Sequence, residues 1–182
     1  MFSFFTYFNI VRFFGADLLK CDKVAIEAAA RLLETSWCYQ NTCEPVLIRL
    51  EVDEFLRRYA IGDRFFINAN LRGAQLSELC LENIDLSYAK LNLANLSGTN
   101  LSKANLMTAE MQSANLSSCN LSKSQLVRAN LSGANLSDAN LRGADLSYAD
   151  LSNVCLTGAD LRGANLARTD LRKTSLDGTI VE

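Results

Sequence analysis

The side chains with chemical potential in this chain are six cysteines, at positions 21, 38, 43, 80, 119 and 155, and a scatter of aspartates and glutamates. Histidine is absent. Without imidazole there is no Ser-His-Asp or Cys-His arrangement, no histidine general base and none of the usual His-containing zinc sets. The cysteines do not cluster, and Cys38 and Cys43 form the one close pair. Small disulfide scaffolds are denser in cysteine, so these read as mostly reduced thiols rather than a redox or metal centre. The carboxylates Asp85, Asp145, Asp150, Asp160 and Asp170 all occupy the same position of a repeat, where an Asx side chain serves a backbone turn. No catalytic, cofactor-binding or metal-ligating residue is expected, and the chain reads as non-enzymatic.

What positions these side chains is a five-residue period that begins at residue 69. With the central apolar residue of each unit called i, the centres run from Leu71 to Leu176 in 22 units, 21 of them Leu and one Met111. Ala occupies i−2 in 14 of the 22 units and Asn or Asp occupies i−1 in 15. Seven of the nine glycines fall at i+2.

This period fits neither a helix, which repeats its apolar face every 3.6 residues, nor a flat strand, which repeats every two. Apolar residues here alternate at spacings of two and three. The spacing of two places i−2 and i on one side of a short extended piece, with i−1 outward. The spacing of three leaves an extra residue that a corner must absorb, and Ser and Gly at i+1 and i+2 supply turn chemistry. Repeated corners of one hand wind the chain into a prism filled with Leu and Ala. Four units, twenty residues, would close each square coil. Thr99, Cys119 and Ser124 fall at inward positions and are expected to bond neighbouring carbonyls. Leu79, Ile84 and Val154 replace Ala at i−2 and demand extra room.

The run ANLSGANLSDANLRGADLSYADL, ending at Leu151, resembles the A(D/N)Lxx signature of the pentapeptide-repeat proteins, a family abundant in cyanobacteria. The segment Leu56–Phe66 resembles the lead-in found before such repeats in that group. The resemblance covers about 110 of the 182 residues. It implies a mainly β fold, a right-handed quadrilateral β-helix of about 5–6 coils over residues 63–182. Residues 1–62 are expected to form a helical N-terminal segment and cap.

Within that leading segment, residues 22–36 are rich in Ala and Leu and predict a helix, and residues 53–60 predict a short one with Asp53 as its N-cap and Gly62 after its end. Val46, Ile48, Leu50 and Val52 alternate with polar residues as in a strand, although Pro45 could equally start a helix. Phe55, Leu56, Tyr59, Phe65 and Phe66 are the expected plug of the first coil. Residues 1–14 hold six Phe and one Tyr. As a helix they would reach about 21 Å, short of a ~30 Å hydrocarbon core. They also lack the basic start and small-residue cleavage site of a secretory signal. Three readings stand for Phe4, Phe5, Phe8 and Phe13: packing on the N-terminal segment, lying in a membrane interface, or binding a partner.

The charge arithmetic narrows the partners. Lys+Arg is 18 against Asp+Glu 20, a net charge of −2, so a phosphate-neutralising nucleic-acid binder is disfavoured. Some members of the family that the chain resembles mimic DNA and occupy topoisomerases. Residues 66–182, with ten Lys/Arg and eleven Asp/Glu, hold no such acidic stripe. Residues twenty apart should form columns. Lys103, Lys123, Arg142 and Arg162 fall near one line, and Arg128 and Arg168 on the adjacent face with Tyr88, Tyr148, Met107 and Val127 outward. These are candidate contacts for an acidic protein partner. A further face is nearly all Ser at i+1. At the other end Leu171, Leu176 and Val181 run uncapped to Glu182, which predicts end-to-end pairing with a second copy or cover by a partner. The sequence therefore predicts a cytoplasmic interaction scaffold or regulatory factor without cofactors. The alternative is an assembly or regulatory factor held at a membrane periphery by its aromatic start.

Overall fold

The computed structural model describes residues 46–181. The helix expected at 22–36, and the candidate contacts Phe4, Phe5, Phe8 and Phe13, lie outside the described residues. The chain divides into two compact units that meet between Asp63 and Arg64.

The described part of the first unit is the helix α1, Val46–Ala60. Of the two readings of the stretch before Asp53, the helical one holds. No glycine or proline interrupts Val46–Ala60, so helix started at Val46 propagates through Asp53, which therefore lies inside α1 and does not cap it. Its end is a Schellman motif. The Asp63 N–H donates to Arg58 O at 3.0 Å and the Gly62 N–H to Tyr59 O at 3.0 Å, with Gly62 at φ 97°. The Arg58 guanidinium clasps the Asp63 carboxylate across the same turn, at 2.5 Å.

The second unit winds with a period of twenty residues. Parallel bridges join residues twenty apart, from Phe65 with Asp85 to Asp160 with Ile180. Four five-residue units therefore complete one coil. The first side carries the centres Phe66, Leu86, Leu106, Leu126, Leu146 and Leu166; the second, Leu71, Leu91, Met111, Leu131, Leu151 and Leu171. The third carries Leu76, Leu96, Leu116, Leu136, Leu156 and Leu176, and the fourth Leu81, Leu101, Leu121, Leu141 and Leu161. Centres from Leu71 through Leu156 are fully buried, and so are most i−2 residues between them. Each buried Leu stabilises the coil by about 1.5–3 kcal/mol.

The mainly β class, a right-handed β-helix or solenoid with a helical cap, is corrected here. Among the described residues there is no strand, sheet or barrel, and α1 is the one helix. Pairing is confined to single bridge residues at i−1, one in every five. The physical reason is the corner. After each bridge residue and its centre come two turn residues, and the second holds a positive φ, between 55° and 71°, throughout the coils. A left-handed residue every fifth position interrupts the extended backbone before two consecutive residues can pair as a strand. A positive φ at the second turn position alone is the type II pattern. Sixteen of these residues are not glycine, although left-handed backbone costs an L-residue roughly 1–2 kcal/mol. From Asn68 through Asn153 their N–H groups reach the next coil, as in Tyr88 N–H to Met107 O at 2.9 Å.

The unit Ala94–Gly98 shows how the backbone is satisfied. Ala94 N–H donates to Leu91 O across the preceding turn (3.0 Å), Asn95 N–H to Ala74 O (2.9 Å), Leu96 N–H to Asn115 O (2.7 Å) and Gly98 N–H to Ser117 O (2.9 Å). The fifth donor, Ser97 N–H, is taken by the side-chain Oδ1 of Asn95 at 3.3 Å. Every one of the fifteen Asn or Asp residues at i−1 makes this same bond to the i+1 amide. The repeat's preference for Asx is thus a demand of the corner.

Candidate functional site: the sides of the coils

The inward polar residues do structural work. Thr99 Oγ1 donates to Leu76 O at 2.6 Å, Cys119 Sγ to Thr99 O at 2.9 Å and Ser124 Oγ to Leu121 O at 2.7 Å. Burial pushes the Cys119 thiol up to about 12, so it stays protonated. Cys119 and Cys155 are free thiols. Cys155, at an outward i−1 position, is held below the ordinary thiol value by the neighbouring Thr157 hydroxyl. Among the described residues no group of three or more Cys, Asp or Glu is placed to hold a metal ion.

Chemistry must therefore lie on the outer surface, and the four basic residues assigned to one line separate there. Lys103 and Lys123 occupy i+2 of the fourth side, whereas Arg142 and Arg162 occupy i+1. Three of the four are matched by carboxylates. Lys103 Nζ meets Glu82 Oε1 at 2.8 Å, and Asp160 Oδ2 takes Arg162 at 2.6 Å and Arg142 at 3.6 Å. The Arg162 hydrogen bond holds the Asp160 carboxyl down to about 2. Such exposed pairs contribute little stability, but they cancel the positive field that an acidic partner would feel.

The first side differs. Its i+2 column reads Asn68, Tyr88, Thr108, Arg128, Tyr148 and Arg168, and its i+1 column Ile67, Ser87, Met107, Val127, Ser147 and Ala167. Tyr88 and Tyr148 stay 55% and 48% exposed. Arg128 and Arg168, one coil below and one above, place their guanidinium carbons 5.8 and 5.4 Å from the Tyr148 ring centroid. The tyrosine is thereby held between two cations. Phe65, expected in the plug, is instead exposed on this side, because it is the i−1 residue and Phe66 the buried centre. Ile67 and the double stack on Tyr148 are features that sequence reading missed. The signal for the stack was the twenty-residue spacing of 128, 148 and 168, and that for Ile67 its i+1 place in the unit centred on Phe66.

At the far end of the coils Leu171, Leu176 and Val181 are 39%, 50% and 61% exposed. Three threonines replace Ala at i−2 there. The Oγ1 atoms of Thr169, Thr174 and Thr179 donate to Leu146, Leu151 and Leu156 carbonyls at 2.8–2.9 Å. On the third side Ser77, Ser97, Ser117 and Ser137 form the expected hydroxyl row, half-buried.

A filled coil of five-residue units, with its chemistry confined to outward columns, defines a class of repeat protein that works by its surface. A family model of "Pentapeptide repeats" matches residues 65–87, 89–124, 124–163 and 149–181, in eight copies. The chain belongs to the pentapeptide-repeat family. Among solved structures it is similar to the pentapeptide repeat protein Rfr23 from the cyanobacterium Cyanothece 51142, at 32% identity over 72% of this chain and 99% of that one, with a TM-score of 0.50. It is also similar to alr5209 from Nostoc Pcc 7120, at 30% identity over 72% and 95% of the two chains, TM-score 0.26. A third likeness is to HetL from Nostoc sp. strain PCC 7120, a protein involved in heterocyst differentiation regulation. There the identity is 25% over 70% and 95% of the chains, with a TM-score of 0.33. A comparison with curated proteins finds no match.

Proposed function

We propose that this chain is a non-enzymatic interaction factor that binds another protein along the sides of its coils. One observation carries the reading. Between Phe65 and Leu161 the large exposed hydrophobic side chains are Phe65, Ile67, Tyr88, Leu93, Met107 and Tyr148, and all but Leu93 stand on the first side. A coil needs no such residues outward for its own stability, since its interior is already filled. Concentrated, exposed apolar and aromatic side chains are the mark of a protein contact surface. The family's repeated fold supplies a rigid rail on which such residues keep fixed spacing.

A photo-crosslinking amino acid placed at Tyr88 or Tyr148, in cells that naturally make the protein, tests this. Discrete heavier adducts are expected from these positions and not from Asn153 or Lys173 on the second side. The absence of adducts from every position would overturn the reading. Among the described residues no helix is long and apolar enough to cross a membrane.

A further inference from the structure

The interaction reading leaves the partner's chemistry open, and the charges around Tyr148 narrow it. Arg128 and Arg168 stack on the ring, and no carboxylate of the described residues lies in ion-pair range of either. Lys103, Arg142, Arg162 and Arg172 are each answered by an acidic neighbour. The two stacked guanidiniums are thus preorganised by the ring, and their forks remain available to an incoming carboxylate. Successive coils stand about 4.8 Å apart, so the pair spans roughly 10 Å along the column. On the same side, Val127 stands beside Arg128 in its own unit, and in the coils below Tyr88 and Met107 continue an apolar stretch with no charge at i+1 or i+2 of their units.

We propose that the first side docks an acidic segment of a partner protein, its carboxylates on Arg128 and Arg168 and its apolar side chains on Tyr88, Met107 and Val127. This rests on the interaction reading above. The surroundings disfavour a broad polyanion. The i−1 column next around the corner, two residues on from the i+2 column, reads Asn70, Lys90, Glu110, Asn130, Asp150 and Asp170, three carboxylates against one cation, with both of those nearest Tyr148 and Arg168 acidic. Those carboxylates would repel a DNA duplex or an anionic membrane laid across the corner, whereas a narrow peptide bearing two carboxylates avoids them. The segment also acquires a direction: apolar toward the first coils, acidic toward the last.

The test is selection of a random dodecapeptide display library on the full-length chain, with sequencing of the bound pool. Enrichment of peptides combining Asp or Glu with apolar residues is expected. A selected peptide should bind R128Q/R168Q at least tenfold more weakly and should bind K103Q/K123Q as it binds the parent. All four substitutions are at exposed positions, and thermal melts check that each variant folds. A pool without acidic enrichment, or one that binds R128Q/R168Q unchanged, overturns the inference. Loss of binding on K103Q/K123Q alone would leave the interaction reading standing and sink this one; a chain that selects no peptide at all sinks both. Arg128- and Arg168-dependent binding of phosphatidylserine vesicles or duplex DNA, with no such peptide, likewise overturns it.

Discussion

Asn115 joins two kinds of bond that the repeat depends on. Its Oδ1 takes the Ser117 N–H at 3.2 Å, and its Nδ2 donates to Asn95 Oδ1 one coil below, also at 3.2 Å. Related side-chain ladders run through Asn100, Asn120 and Asn140. Each bond is worth about 0.5–1.5 kcal/mol net. Asn115→Ala is therefore expected to cost about 1–2 kcal/mol in urea unfolding. Asn115→Asp keeps the turn acceptor, loses the amide donor and sets a carboxylate against Asn95 Oδ1, so at neutral pH it should also destabilise. Lowering the pH should ease that penalty as the carboxyl gains a proton to donate. Equal stability of Asn115→Ala and the parent would contradict the role assigned to the fifth N–H. The need for Asx at i−1 was legible from the repeat, because turn chemistry is local. The vertical amide ladder was not, since it depends on residues twenty apart meeting at hydrogen-bond distance.

Between the corners, an outward position's neighbour in the next coil decides what its charge can do. Asp160 accepts from the Nε of its own unit's Arg162 at 2.9 Å, and Arg142 approaches from the coil below. Its folded carboxyl titrates near 2, below its ordinary value of 3.8. A depressed carboxyl contributes stability that is present above the unfolded value and lost as pH falls through the folded one. The stability difference between the parent and Asp160→Asn should therefore hold above about pH 4 and shrink as the pH drops toward 2. Urea denaturation at a series of pH values measures it, and a difference constant down to pH 2 would contradict the pairing. Sequence arithmetic placed Arg142 and Arg162 near Lys103 and Lys123, which is right for the side but not for the column. Asp160, in the i−1 column beside them, could be counted as a repeat residue but not as their counter-ion. Likewise the stretch Val46–Val52, open in the sequence to a strand or to a helix started at Pro45, is part of α1, because its alternation carries less weight than an unbroken run of helix-tolerant residues.

At the scale of the whole coil, function follows from register. Removing one complete unit, such as Ala114–Ser118, leaves the five-residue rhythm intact but turns every later residue onto a different side. Removing one coil, Ala109–Arg128, preserves sides while shortening the stack. Both deletions should fold, with melting temperatures below the parent's because buried leucines are lost. In the five-residue deletion Tyr148 and Arg168 no longer lie on the side that carries Tyr88 and Met107, so crosslinking through Tyr88 and Tyr148 should cease to reach the same partner. Retention of a common adduct would show that side identity is irrelevant. The sequence by itself determined the word, the inward Leu and Ala and the twenty-residue closure, because spacings of two and three with turn residues between them admit one way of burying apolar groups. Tertiary structure alone decided that pairing is limited to single bridges, that Phe65 faces out, and which cations are neutralised. Those outcomes depend on backbone dihedrals at each corner and on which side chains meet across coils, and neither is contained in a linear pattern.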